Sequence, residues 1–268
     1  MSTSTEQQNH VVDIRGVSKS YDTKRHSVLA LAEVNLQMKP GEFVSVVGPS
    51  GCGKSTLLKI AAGLHPSSTG HVSVLGSEVT GPVTEVGIVF QQHLLLPWRT
   101  ILQNVLLQTE IRGMKSADVK DRAVKLLEQV GLGEFIDRYP DQLSGGMRQR
   151  ASIVRAIVHD PELILMDEPF GALDAMTRDQ MQLDFQGLSR DEGKTVLFIT
   201  HSIDEAVFLS DRVIVMSPRP GSIEEEIIID LPRHRPLELR NEPEFAKYSR
   251  HIRELFKGMG VLQERKAS

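Results

Sequence analysis

Residues 48–55 read GPSGCGKS, and no other stretch of this chain restricts the fold as tightly. The octapeptide fits G-x-x-x-x-G-K-[ST] in full, between a short apolar run, FVSVV at 43–47, and a helical run, STLLKIAAG, that Gly63 closes. A loop of this kind needs a buried strand before it and a helix after it, because its N–H groups must converge on phosphate oxygens with a helix N-terminus behind them. Gly48, Pro49, Ser50, Gly51, Cys52 and Gly53 supply the cradle, Lys54 reaches the β- and γ-phosphates, and the Ser55 hydroxyl can ligate Mg2+. The loop predicts a nucleoside triphosphate as ligand.

Short apolar segments recur downstream: VGIVF (86–90), LILMD (163–167), TVLFIT (195–200) and RVIVM (212–216), separated by helical patterns. Strands this apolar are buried on both faces, so the chain reads as an α/β protein with a mainly parallel sheet. Two stretches interrupt that pattern. Residues 11–38 and 71–80 read as amphipathic strands of a small antiparallel sheet in front of the core. Residues 99–158 read as nearly all helical, with Val119, Ala123, Leu126, Leu127 and Val130 at helical spacing and Gly131 as a stop. We therefore divide the chain into a disordered N-terminus (1–10), a nucleotide-binding domain (11–232) with a helical subdomain (99–158), and a C-terminal appendage (233–268), helical around 244–256.

Composition excludes several classes. Of 268 residues 40 % are hydrophobic and 25 % charged, as in soluble globular proteins, and a net charge of −4 with scattered basic residues gives no nucleic-acid signature. No apolar run approaches the length of a membrane span, and the N-terminus does not read as a signal peptide, so the chain is expected to stay in the cytoplasm. The single cysteine, Cys52, excludes an internal disulfide. Beside Lys54 and a helix N-terminus its thiol would be acidified and reactive, unless the side chain merely fills space.

In LILMDEPF (163–170), Asp167 can share the Mg2+ shell with Ser55, while Glu168, one residue further, can polarise an attacking water. Asp-Glu-Pro can equally be strand punctuation. Gln91, after VGIVF, can touch both metal and water, His201, after TVLFIT, can bond the γ-phosphate, and Tyr21 can stack on adenine; each alone reads as an ordinary residue. Ser144, Gly145 and Gly146 in LSGGMRQR (143–150) open a helix as an anion cradle would, but without a lysine.

The order of these motifs, Tyr21, GPSGCGKST through Thr56, Gln91, LSGGMRQR, LILMDEPF, GALD (171–174) and His201, resembles that of the ATP-binding subunits of ABC transporters over residues 11–232. The resemblance implies ATP and Mg2+ as cofactors and a head-to-tail homodimer in which Ser144, Gly145, Gly146 and Asp174 address ATP held by the partner's Lys54. Where the family usually has glutamine after the two signature glycines, this chain has Met147. Only 51 residues (92–142) separate Gln91 from Leu143, too few for the coiled coils of DNA-repair relatives. With no fused spans, the resemblance implies a separate integral permease at the cytoplasmic face of the inner membrane and a periplasmic or lipid-anchored solute-binding protein. Leu94, Leu95, Leu96 and Trp98 of QHLLLPWRT stand where the family receives its permease. That stretch, DEPFGALDAMTR and THSIDEAVFLSDRVIVMSPRPG resemble the nitrate, sulfonate and taurine importer branch; bicarbonate, cyanate and pyrimidine precursors remain open. A soluble ABC-type ATPase without a permease is the alternative, and a P-loop kinase or GTPase fits less well, because the chain has no N-K-x-D motif.

Overall fold

The computed structural model describes residues 10–22, 27–114, 116–171 and 173–262; nearly all of the N-terminal stretch expected to be disordered, and Ala172 of GALD, lie outside them. Two long antiparallel strands, β1 (Val12–Asp22) and β2 (Ser27–Met38), open the chain. β3 (Phe43–Val47) then delivers the phosphate loop to α1 (Lys54–Ala61). β4 (Thr69–Val74) and β5 (Ser77–Glu78) rejoin the first pair to make a four-stranded antiparallel sheet, ordered β2-β1-β4-β5.

A second sheet holds the remaining strands. β6 (Gly87–Val89) precedes three helices, α2 (Ile101–Ile111), α3 (Ser116–Gln129) and α4 (Gly145–Ile157). There follow β7 (Leu163–Asp167), α5 (Ala175–Asp191), β8 (Thr195–Thr200), α6 (Ile203–Leu209), β9 (Arg212–Met216), β10 (Ile223–Ile228) and α7 (Pro243–Gly258). The strand order is β10-β9-β3-β8-β7-β6, parallel throughout except for β10 at the edge. The four apolar segments read downstream of the phosphate loop supply β6, β7, β8 and β9, and β10 is a strand the sequence reading did not single out.

Every residue of β3, β7 and β8 is buried because helices or the front sheet cover both faces. On one face Val44, Val46, Leu165 and Leu197 pack with Leu57 and Leu58 of α1 and with the front sheet. On the other, Val47, Met166 and Phe198 pack with α4, α5, α6 and α7. Phe198 lies 5.9 Å from the Phe43 ring and 5.6 Å from that of Phe170; burying one such side chain contributes about 1.5–3 kcal/mol. The second of these cores takes in the C-terminal segment as well, through Phe245, Ile252 and Phe256.

This topology concentrates chemistry at one edge. In an open parallel sheet ligands bind beyond the carboxyl ends of the strands. Here β3 ends in GPSGCG, β6 leads to Gln91, β7 to Glu168 and β8 to His201.

Candidate nucleotide-binding and hydrolysis site

The phosphate loop closes on itself through glycine geometry. Gly51 and Gly53 have φ of +76° and +106°, and a Cβ on Gly53 would lie 2.5 Å from Leu31 Cδ2 and 3.0 Å from the Ala30 carbonyl oxygen. Lys54 is buried, and its Nζ donates to the carbonyls of Gly48 (2.8 Å) and Pro49 (3.0 Å), which fixes the ammonium inside the loop with one donor to spare. The Ser55 hydroxyl donates to Asp167 Oδ1 at 2.9 Å, joining the ends of β3 and β7. Burial pushes the Asp167 carboxyl above its usual range, against the opposing effect of the Ser55 hydrogen bond.

Glu168 follows Asp167 with φ +47°, a left-handed conformation that a non-glycine residue adopts at an energetic cost. Its amide donates to the Ile199 carbonyl (2.9 Å), holding the residue against the end of β8. The turn brings three predicted residues together: Glu168 Oε2 lies 3.1 Å from His201 Nδ1 and accepts from Gln91 Nε2 at 3.4 Å. Tyr21 stands elsewhere, over the start of α1, where its hydroxyl is 3.4 Å from Thr56 Oγ1 and 3.1 Å from His65 Nδ1. Lys19 Nζ sits 5.2 Å from the Tyr21 ring centre, so Lys19 and His65 join a corner that sequence reading had assigned to the tyrosine alone.

Ser144 caps α4, its hydroxyl accepting from the Met147 amide (3.2 Å), and Ser144 and Gly145 are exposed. A Cβ on Gly146 would come within 3.3 Å of Leu173 Cδ2 and 3.7 Å of Thr177 Cγ2. Asp174 caps the neighbouring α5 by accepting from the Thr177 amide (3.0 Å), a bond that lowers its pKa. The four residues expected to act on a partner's nucleotide thus form one patch. Among the described residues that patch makes no hydrogen bond to residues 48–56. Met147 is partly buried and packs against the apolar core.

The ABC transporter family model matches residues 31–171, slightly more than half of the chain. An uncharacterized ABC transporter ATP-binding protein of Methanocaldococcus jannaschii is 47 % identical over 91 % of this chain and 90 % of its own. This chain belongs to the ABC transporter family. The cassette is also 42 % identical to a nitrate import ATP-binding protein of Synechocystis (92 % of this chain, 95 % of that one) and 40 % identical to an aliphatic sulfonates import ATP-binding protein of Bacillus cereus (94 % and 98 %). Among solved structures, a dimeric ATP-binding cassette in a post-hydrolysis state with ADP and Pi superimposes with a TM-score of 0.75 at 35 % identity, covering 82 % of this chain and all of that one. The cassette is accordingly an ABC-type, ATP-binding ATPase with the α/β fold expected of it. Among its described residues no helix is long and apolar enough to cross a membrane.

Of the two readings of Cys52, an acidified thiol and a space-filling side chain, the structure supports the second. The Cys52 thiol is 1 % exposed and its pKa is raised, because burial outweighs the attraction of Lys54. Spacing along the chain placed positive charge beside the sulfur but could not reveal that Met216 and Gly221 cover this side of the loop. Of the leucines beside Gln91, Leu95 is buried, whereas Leu94 and Trp98 are 49 % and 70 % exposed. Sequence reading also missed what holds that segment in place. Arg155 donates to the carbonyls of Leu94 (2.7 Å) and His93 (3.0 Å), and Arg148 to His93 Nε2 (3.1 Å); both arginines stand on α4.

Proposed function

We propose that this cassette is the ATP-hydrolysing subunit of an importer for small anions of the nitrate, sulfonate or taurine kind, acting as a homodimer on a separate permease at the cytoplasmic face of the membrane. In this reading residues 11–232 are the nucleotide-binding unit, 99–158 its helical subdomain and 233–268 an appendage. The observation that carries hydrolysis is the Glu168 carboxylate, turned out of β7 by a strained backbone and met by His201 and Gln91. Strain of this sort clusters at functional sites. Glu168 accepts a hydrogen bond from the attacking water, and His201 and Gln91 orient the carboxylate and the γ-phosphate. Lys54 neutralises β- and γ-phosphate charge, and Tyr21 presents its ring to the adenine.

Ser55 Oγ and Asp167 Oδ1 are hard oxygen donors 2.9 Å apart, a fit for Mg2+, with Gln91 on the adjoining strand end. Ser55 and Asp167 would hold such an ion, which would supply positive charge against the phosphates. The patch of Ser144, Gly145, Gly146 and Asp174 would face the γ-phosphate held by the second copy, so ATP closes the dimer and hydrolysis opens it. Exposed Leu94 and Trp98, tied through Arg155 to α4, offer the permease a surface beside Gln91. The anion class rests on the named import proteins at 40–42 % identity over more than 90 % of both chains.

The test of hydrolysis is Glu168→Gln, which should bind ATP as the wild type does, lose turnover and accumulate as an ATP-bound dimer by size-exclusion chromatography. Wild-type turnover in the variant would remove Glu168 from this role. For the transport assignment, affinity purification of the tagged chain from detergent-solubilised native membranes should bring down a multi-spanning permease and a binding protein. Active ATPase without any membrane partner would refute the importer reading.

A further inference from the structure

Residues 231–258 lie beyond the last strand and touch no part of the phosphate loop, yet they hold α6 at both ends. α6 spans seven residues and begins two positions after His201, with Ser202 between them as its cap. A helix of two turns does not hold its own place and depends on its neighbours. At its C-terminal end, carbonyls that lack partners within the helix meet a side chain from the C-terminal segment. Arg235 is 1 % exposed, and its Nη1 donates to the carbonyls of Val207 (2.7 Å), Phe208 (3.1 Å) and Ser210 (2.9 Å). The same guanidinium returns to its own segment through Nε to Pro232 O (2.8 Å). At the N-terminal end, Asp204 accepts from two residues of α7, Ser249 Oγ (2.8 Å) and Arg253 Nη2 (3.1 Å).

We propose that the C-terminal segment is a positioning clamp for His201: Arg235 at one end of α6, and Ser249 and Arg253 at the other, set where the imidazole meets the Glu168 carboxylate. The inference rests on the hydrolytic reading above. Since only Ser202 separates the histidine from α6, a tilt of this helix is passed directly to the 3.1 Å contact with Glu168. α1 packs on the opposite face of the sheet from α6 and α7, while the C-terminal end of α6 also touches β3, where Ser210 Oγ meets Ser45 Oγ. The clamp acts first on turnover, because His201 is two positions from the start of α6 whereas Lys54 is held by carbonyls of its own loop. Neither Arg235 nor Arg253 touches the nucleotide site, and both act through His201.

The experiment uses the full chain, with steady-state ATPase measured across ATP concentration and binding followed with a fluorescent ATP analogue. Arg235→Met should lower kcat about ten- to a hundredfold, the scale of a catalytic group displaced by an ångström, while KM and analogue affinity stay within about twofold. Arg235→Lys, which keeps a cation at the helix end, should recover part of the loss. The pair Ser249→Ala with Arg253→Gln, at the other end of α6, should lower kcat about threefold, the equivalent of a partly exposed ion pair. In a His201→Ala background both changes should have no further effect, because the group they position is gone. Losses that multiply in that background, KM rising as kcat falls, or a Ser249/Arg253 variant at the wild-type rate would each overturn the clamp. Should Arg235→Met fail to fold, the Ser249/Arg253 pair decides. A wild-type chain without turnover would overturn the hydrolytic reading and this inference with it, whereas wild-type turnover with indifferent variants would overturn the clamp alone.

Discussion

Glu205, in the first turn of α6, separates two ways of holding the His201 segment, a hydrogen bond and an ion pair. The carboxylate is 7 % exposed; Oε2 accepts from the Thr200 hydroxyl at 2.6 Å, and Oε1 stands 3.6 Å from Arg178 Nε. Glu205→Ala strands the Thr200 hydroxyl proton in a fully enclosed site, worth about 1–3 kcal/mol, and opens a cavity the size of the lost side chain, worth roughly another 1 kcal/mol. Arg178 is about one-third exposed and turns to water, so its loss adds little. The sum is about 2–4 kcal/mol. Glu205→Gln keeps a carbonyl oxygen for Thr200 and gives up only the longer ion pair, while it removes a buried charge; the net change should lie within about 1 kcal/mol of zero.

Urea denaturation at neutral pH measures both variants, and the pH dependence supplies a control. Burial raises the Glu205 pKa despite the Thr200 bond and Arg178. A carboxyl with a raised folded-state pKa contributes stability that is present at low pH and lost as pH rises through that pKa. The wild type should therefore gain on Glu205→Gln as pH falls into the acid range. If the glutamine variant is as unstable as the alanine one, the Arg178 ion pair is the anchor and the reasoning from the hydrogen bond is wrong.

Further expectations concern other parts of the chain. Burial and the nearby Arg112 guanidinium hold His159 down at about 4 from 6.5, so its contribution to stability is complete above pH 6.5 and is lost as pH falls through 4; allowing for water at the ring this amounts to roughly 2 kcal/mol, and His159→Leu should flatten that part of an acid denaturation curve. The Cys52 thiol should resist iodoacetamide at pH 7.5 and react once urea unfolds the chain; rapid labelling of the native protein would contradict its burial. Gly63 has φ +68°, and a Cβ there would lie 1.8 Å from the Gly81 carbonyl oxygen, so Gly63→Ala should destabilise by at least about 2 kcal/mol in the same urea assay.

The parallel strands were legible because a strand covered on both faces must be apolar along its whole length, as LILMD and TVLFIT are. β10 escaped because IEEEII carries three glutamates, tolerable on an edge strand where Glu226 pairs with Arg212 of β9. The glycine loop after β3 and the turn at Glu168 were legible as local patterns, since each depends on a few adjacent residues. Arg235 could not be found that way. A lone arginine in a charged, proline-punctuated tail reads as solvated, and its burial depends on carbonyls of α6 more than twenty residues earlier. Cys52 was left between two readings for a related reason: spacing reports which charges are near and is silent about which side chains exclude water.

The strand that bears the phosphate loop is made early and completed late. β3 has β8 on one side and β9 on the other, with Val47 in register with Thr200 and Val215. On the ribosome β3 and its glycine loop therefore emerge without either neighbour and wait for most of the chain. An N-terminal fragment carrying the whole GPSGCGKST motif has the letters of the proposed nucleotide site without its flanking strands, and the growing chain is expected to hold ATP only once synthesis has passed β9. Nucleotide binding during translation would report that nearly the entire cassette has folded.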